Sequence, residues 1–371
     1  MINKIVHITL GKANPNRMNG VNKVVNSLAT YQSKEGLDVE VWGITNTPEE
    51  DHFKREYTLR LFKNEGKFKL DKSLKKEIAD QNKQTRFHIH GSFNLELYLI
   101  AKFLSKHNFK YIYTSHGAFN EIAMQRSYLK KRIYTFLFEK SIVKNAYKMH
   151  FIGASEIDGA KKVFKLNDDY FLVPNGQEKI NESNNKTKTT EQKTVFGFIG
   201  RLDVHTKGLD ILMEAIKGLS DTERSKMELW IIGGGNGEEY MKSEISKNNL
   251  ADVVKMLGPK FAEEKNDLIK QMDFLCLNSR NEGMPGVVLE SLSFGVPVII
   301  SQETNLGQEV KEFKAGFVLE RNEAVTLRAN LINALNITSE DYSSMSQNAQ
   351  DSVDKVFDWS IIAKRMISNY A

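Results

Sequence analysis

The chain has 371 residues, more than a single hydrophobic core usually supports, so two domains are expected. Hydrophobic residues make up 40% and charged residues 27%, which excludes disordered and fibrous classes. One cysteine, Cys276, excludes a disulfide framework, and no apolar run reaches the ~18 residues of a spanning helix.

A reducing, cytoplasmic setting is therefore expected. Ile2–Leu10 is short and β-like and lacks a signal-peptide cleavage pattern. The net charge of +5 divides unevenly. Residues 1–180 hold 30 Lys and Arg against 19 Asp and Glu, or +11, and the remainder carries −6. A basic first half suggests an anionic partner such as a membrane surface, a diphosphate lipid or nucleic acid, with a solvated lysine-rich surface as the plain alternative.

Lys4–Leu10 reads as a strand, and a polar loop then reaches Asn19-Gly20. Val21, Val24, Val25 and Leu28 share one face of a helix that ends before Gly36. Val39–Ile44 is a second strand. Residues 46–85 are polar and predict an exposed hairpin or helix. Arg86–His90 and Tyr111–Ser115 are strands, and His116-Gly117 follows the latter. His88 and His90 alternate with Phe87 and Ile89; without acidic partners they read as structural.

Residues 126–147 form a basic aromatic helical stretch. Arg126, Lys130, Lys131, Arg132, Lys140, Lys144 and Lys148 interleave with Leu129, Ile133, Phe136, Leu137 and Ile142. Two readings stand for it: a surface helix packed on its own domain, or a face lying on an anionic bilayer. Ser155 and Asp158 have capping-box spacing before a helix to Phe164. Asp168-Asp169 reads as a turn.

Glu178–Lys193 is polar and low in complexity, the natural linker. From Thr194 a second series of strands and helices begins. Alternation of this kind predicts a doubly wound parallel sheet in each half, with ligands bound in loops after strands. The expected division is 1–176, joined by a returning C-terminal helix at 357–371, and 177–356.

Three stretches of the second half carry chemistry. After the strand Val195–Ile199, Arg201 and Lys207 flank a turn before the next helix, a cation pair suited to adjoining phosphates. Gly233 and Gly234 open a glycine cluster between strand and helix, a site for close nucleotide approach or a tight turn. Glu282 and Glu290 flank a helix start at Gly286, Val287 and Val288, whose free N–H groups can cradle an anion. A carboxylate accepts two adjacent ribose hydroxyls, which suits Glu290; a glutamate favoured by the helix dipole is the alternative.

Gly200-Arg201-Leu202, Lys207-Gly208, Glu282-Gly283, Pro285, Glu290 and Gly295-Val296-Pro297-Val298 resemble retaining glycosyltransferases of family 4. That resemblance implies an α/β fold of the GT-B type, two Rossmann-like domains around a cleft, and no metal. It further implies that Arg201 and Lys207 bind the diphosphate of a UDP- or GDP-linked sugar, Glu282 the sugar and Glu290 the ribose. His116 would face the donor sugar, and Gly20 would let a loop approach phosphates or acceptor. A glycan or polyprenyl-diphosphate-linked acceptor of surface polysaccharide, lipopolysaccharide or capsule synthesis is implied, with peripheral membrane association and no nucleic acid. Asn19-Gly20 replaces the family's paired glycines, and Thr304–Glu309 a more glycine-rich segment. A nucleotide-sugar epimerase of the same fold and a non-catalytic membrane-associated binding protein are the alternatives.

Overall fold

The computed structural model describes residues 4–15, 20–49, 52–66, 68–125, 127–166, 169–180 and 192–371. Asn19, Arg126, Asp168 and the 181–191 portion of the expected linker lie outside them. The chain forms two compact units: Met1–Gly176 with Trp359–Ala371, and Gln177–Asp358.

The first unit is built on seven strands: β1 (Lys4–Leu10), β2 (Asp38–Thr45), β3 (Thr58–Lys63), β4 (Arg86–His90), β5 (Tyr111–Thr114), β6 (Lys148–Phe151) and β7 (Tyr170–Leu172). They pair in parallel in the order β3-β2-β1-β4-β5-β6-β7. Central strands are buried on both faces, hence the near-continuous apolar runs of β1 and β5. The interior is not wholly apolar. His7, His88, His90, Thr114 and His150 are all buried on neighbouring strands.

The second unit has β8 (Thr194–Ile199), β9 (Met227–Ile232), β10 (Val254–Gly258), β11 (Phe274–Leu277), β12 (Val298–Ile300) and β13 (Gly316–Val318). Their order is β10-β9-β8-β11-β12-β13, again all parallel. In both sheets the order reverses beside the first strand, and in the second unit the loops at the carboxyl ends of β8, β9, β11 and β12 converge there. One large core cluster runs from Phe196 to Phe357.

The last helix, Trp359–Asn369, packs within the first unit. Trp359 stacks on Tyr31 of helix Gly20–Lys34, and Arg86 Nε donates to the Tyr370 carbonyl at 3.0 Å. Gly176 lets the chain pass Trp359: a Cβ there would lie 2.4 Å from the indole.

Local expectations are decided or changed at three places. Of the hairpin or helix expected in residues 46–85, the helix is present, Lys72–Ala79, and β3 before it pairs in parallel with β2 as an edge strand. Ser155 does not cap its helix: Gly153 is the N-cap, and Ser155 Oγ accepts from Asn120 Nδ2 at 2.9 Å. The basic aromatic stretch within 126–147 is helical as expected, with helices Tyr128–Tyr134 and Lys140–Asn145 joined by a π-turn, Thr135–Glu139. One face packs inward through Tyr134, Phe138, Ile142 and Val143, but the rest of its apolar side chains do not. Leu129, Ile133, Phe136 and Leu137 are 53–74% exposed, and Ile142 alone of the apolar positions singled out in the sequence is buried.

Candidate active site

The loop after β8 is shaped by contacts that exclude side chains. Gly208 has φ +66°, and a Cβ would lie 2.2 Å from the Asn278 carbonyl oxygen. Asn278 Nδ2 donates to the Gly208 carbonyl at 2.8 Å, fastening the loop after β11 to that after β8. Helix Leu209–Lys217 begins at the next residue, with six buried positions. Arg201 is exposed and makes no side-chain hydrogen bond or ion pair among the described residues. Its guanidinium is available to an anionic ligand.

Lys207 and Glu282, 75 residues apart, meet: Nζ lies 2.5 Å from Oε1. Ser279 Oγ donates to the same oxygen at 2.7 Å. Both side chains are mostly buried, at 17% and 13% exposure. A cation this close to a carboxyl compensates its charge locally, which limits repulsion of any anionic ligand.

The Glu282 loop is held in place from several directions. Arg280 forks onto Asp210, Nη1 and Nη2 each donating at 2.7 Å to separate carboxylate oxygens, and its Nη1 reaches the His205 carbonyl at 2.8 Å. Burial alone would raise the Asp210 pKa; hydrogen bonding and charge from Arg280 outweigh it and hold the carboxyl below its usual range. Asn305 Nδ2 donates to the carbonyls of Glu282 and Gly283 at 2.9 and 2.8 Å, and Asn305 sits at φ +60°. Asparagine tolerates that conformation as glycine does and adds a donor. The departure at Thr304–Glu309 thus fastens the loop.

Helix Gly286–Ser293 begins after Pro285 without any side-chain cap, and a Cβ on Gly286 would meet open space. Of the three N–H groups expected from sequence to cradle an anion, that of Val288 donates to the Pro285 carbonyl at 3.1 Å, which leaves Gly286 and Val287 as the candidates. Glu290 is buried one turn in, with Oε2 2.5 Å from Lys265 Nζ. Gly233, at φ +147°, lies so close to the loop after β8 that a Cβ would sit 1.8 Å from the Gly200 oxygen, while Gly234 faces open space. Close packing of loops accounts for the first glycine, and Gly234 leaves backbone accessible.

His116 and Gly20 belong to the first unit. His116 follows β5, is half-buried and has φ +54°; its Nε2 lies 3.0 Å from His90 Nδ1. Burial lowers its pKa to about 3, so the ring is neutral near pH 7. Gly20 opens helix Gly20–Lys34 and is exposed, and a Cβ added to it would meet nothing within 4 Å. Within the second unit, then, the fold joins Lys207 to Glu282 directly and Glu290 to an additional lysine.

Sequence reasoning missed Lys265, Arg280, Asp210 and Asn305. Their motifs are single polar residues in loops and first helical turns, and only contact across the fold distinguishes them from solvated ones.

Residues 179–352 match the family described as "Glycosyl transferases group 1". An uncharacterized glycosyltransferase of Methanocaldococcus jannaschii is 28% identical over 164 residues, 44% of this chain and 44% of that protein. The amylovoran biosynthesis glycosyltransferase AmsK of Erwinia amylovora is 29% identical over 132 residues, 34% of this chain and 32% of AmsK. The matches thus span less than half the length of these relatives. Among solved structures, Anabaena HepE in complex with UDP-glucose superposes with a TM-score of 0.71 at 15% identity, covering 98% of both chains. That likeness shows the fold.

Proposed function

With residues 179–352 forming a glycosyl transferases group 1 domain within a GT-B fold, we propose that the protein is a retaining glycosyltransferase. It transfers a sugar from a nucleoside diphosphate to an acceptor hydroxyl in surface polysaccharide assembly. The Lys207–Glu282 pair beside the uncapped helix Gly286–Ser293 carries the reading. Arg201, Lys207 and the helix N–H groups would take the diphosphate, whose leaving oxygen gains negative charge as the glycosidic bond breaks; fixed cations favour that state over the ground state. Glu282 would accept hydrogen bonds from sugar hydroxyls and Glu290 from the ribose. HepE, with its bound UDP-glucose, and AmsK, by its amylovoran role, support donor and pathway class.

The acceptor is proposed to be lipid-linked, met at an anionic membrane surface. Exposed Leu129, Ile133, Phe136 and Leu137 lie among Lys130, Lys131, Arg132 and Lys140, an apolar face with a basic rim. Co-sedimentation with phosphatidylglycerol vesicles is expected and should fall at least tenfold in Leu129→Asp/Phe136→Asp.

The deciding experiment incubates the protein with UDP- and GDP-sugars and membrane acceptor, following nucleotide release and the anomeric configuration of the product by NMR. Retained configuration supports the reading. Interconversion of the donor without acceptor or released nucleotide would identify an epimerase instead.

A further inference from the structure

Eight buried or half-buried groups of the first unit form one uninterrupted chain of hydrogen bonds. It starts at His116, whose Nε2 is 3.0 Å from His90 Nδ1; His90 Nε2 is then 2.9 Å from His7 Nδ1. His7 Nε2 reaches Gln32 Oε1 at 2.7 Å, and Gln32 Nε2 reaches the Tyr370 hydroxyl at 3.2 Å. That hydroxyl is 2.7 Å from His88 Nδ1, and His88 Nε2 is 2.6 Å from Thr114 Oγ1. Thr114 Oγ1 lies 2.8 Å from His150 Nδ1, and His150 Nε2 ends the chain 2.8 Å from the Val173 carbonyl oxygen.

The end decides the rest. A backbone carbonyl only accepts, so His150 Nε2 must carry the proton and, in a neutral ring, its Nδ1 must accept. Thr114 then spends its hydroxyl hydrogen on His150 and accepts from His88 Nε2–H. His88 Nδ1 accepts from Tyr370, whose oxygen accepts from Gln32. Gln32 Oε1 accepts from His7 Nε2–H, His7 Nδ1 from His90 Nε2–H, and His90 Nδ1 from His116 Nε2–H. Every donor finds one acceptor, and all five rings hold the same tautomer. Their neutrality is favoured by burial, which lowers His7 and His150 to about 4.

We infer that this proton-ordered chain, anchored on the Val173 carbonyl, fixes His116 as the Nε2–H tautomer and leaves its Nδ1 as a hydrogen-bond acceptor for a ligand hydroxyl. The tautomer rests on the hydrogen bonds alone; a sugar as the source of the hydroxyl rests on the proposed function. Thr114, His150 and Tyr370 are positioning residues that act on His116 from across the sheet. Without the anchor the chain could reverse if the Gln32 amide turned over, its Nε2 then donating to His7 and its Oε1 accepting from Tyr370, and reversal would place the proton on His116 Nδ1. A metal held by His7, His88 and His90, whose ligand atoms lie within 4.8 Å of one another, is the competing use of the cluster. Each of their ring nitrogens already has a partner at 2.6–2.9 Å or, for His90 Nδ1, 3.0 Å, and metal would break the chain.

Long-range proton–nitrogen correlation spectra of the full chain labelled with 15N-histidine test this. Ligand-free, all five buried rings should be neutral with protonated Nε2; a protonated Nδ1 at His116 overturns the inference, without any variant. Thr114→Val, which removes both hydrogen bonds of that hydroxyl, should populate the Nδ1–H form of His116 to at least about a tenth, while Thr114→Ser should keep the wild-type tautomer. An unchanged His116 in Thr114→Val overturns the anchoring role. Stoichiometric Zn2+ binding that shifts His7, His88 and His90 overturns it in favour of a metal site. With UDP-glucose and GDP-mannose added, donor binding that leaves His116 Nδ1 unmoved refutes its acceptor role. Failure of both donors to bind counts against the proposed function, while the ligand-free spectrum still decides the tautomer.

Discussion

Five neutral histidines in one sheet should make the first unit abruptly sensitive to acid. Burial holds His7 and His150 near 4 and His116 near 3, against 6.5 for a free ring, and His88 and His90 lie well below that value. These are bases with depressed folded pKa values. Their contribution is fully present above 6.5 and is lost as pH falls, because the unfolded chain takes up protons that the folded one refuses. Each costs about 1.4 kcal/mol per pH unit, so five cost about 7. Glu139 opposes them: burial raises it from 4.5 to about 7, and Glu156 is raised in the same sense. Glu139 alone returns about 1.4 kcal/mol per unit in the interval where it is protonated only in the folded state. A net loss of about 6 kcal/mol per unit consumes a stability of about 5–15 kcal/mol within about one to three units below 6.5. The second unit holds only His205, which is exposed. Hydrogen exchange followed by mass spectrometry between pH 7 and 4 should show residues 4–176 and 359–371 opening first. Equal protection of both units down to pH 4, or earlier opening of the second, would refute the reasoning.

Glu139→Gln removes a carboxyl whose folded pKa is raised from 4.5 to about 7, so its stabilising contribution is lost as pH rises through 7. The variant should gain on wild type by up to about 3 kcal/mol in urea unfolding at pH 8 relative to pH 4.5. Lys207→Ala should leave Glu282 with Ser279 Oγ as its named side-chain partner and weaken donor binding at least tenfold by calorimetry; Glu282→Ala should abolish turnover while nucleotide still binds. Gly208→Ala places a side chain at φ +66° against the Asn278 carbonyl and should cost about 2 kcal/mol or more, read as a lower urea midpoint. Arg280→Ala frees the Glu282 loop from Asp210; the partly exposed pair should cost only about 1 kcal/mol of stability, but donor affinity should fall more than stability does.

The sequence by itself determined the doubly wound character of both halves, because buried parallel strands must be apolar runs and the intervening helices must be amphipathic. It also determined which residue types gather after β8 and β11, since tight turns need glycine and the cations and carboxylates there are written in the chain. It did not reveal edge strand β3, whose alternating Leu59 and Leu61 are diluted by charge and gain meaning only from pairing with β2. Nor did it separate the two readings of the basic aromatic stretch; exposure of Leu129 and Phe136 depends on what the rest of the unit packs against them. Partners were the larger omission. Lys207 finds Glu282, Lys265 finds Glu290 and Arg280 finds Asp210 across 25 to 75 residues of chain. His88 and His90 read as structural from their spacing, and only the register of β1, β4, β5 and β6 joins them to His7, Thr114 and His150. Spacing along a strand says which side chains share a face, whereas the order of the strands decides which faces touch.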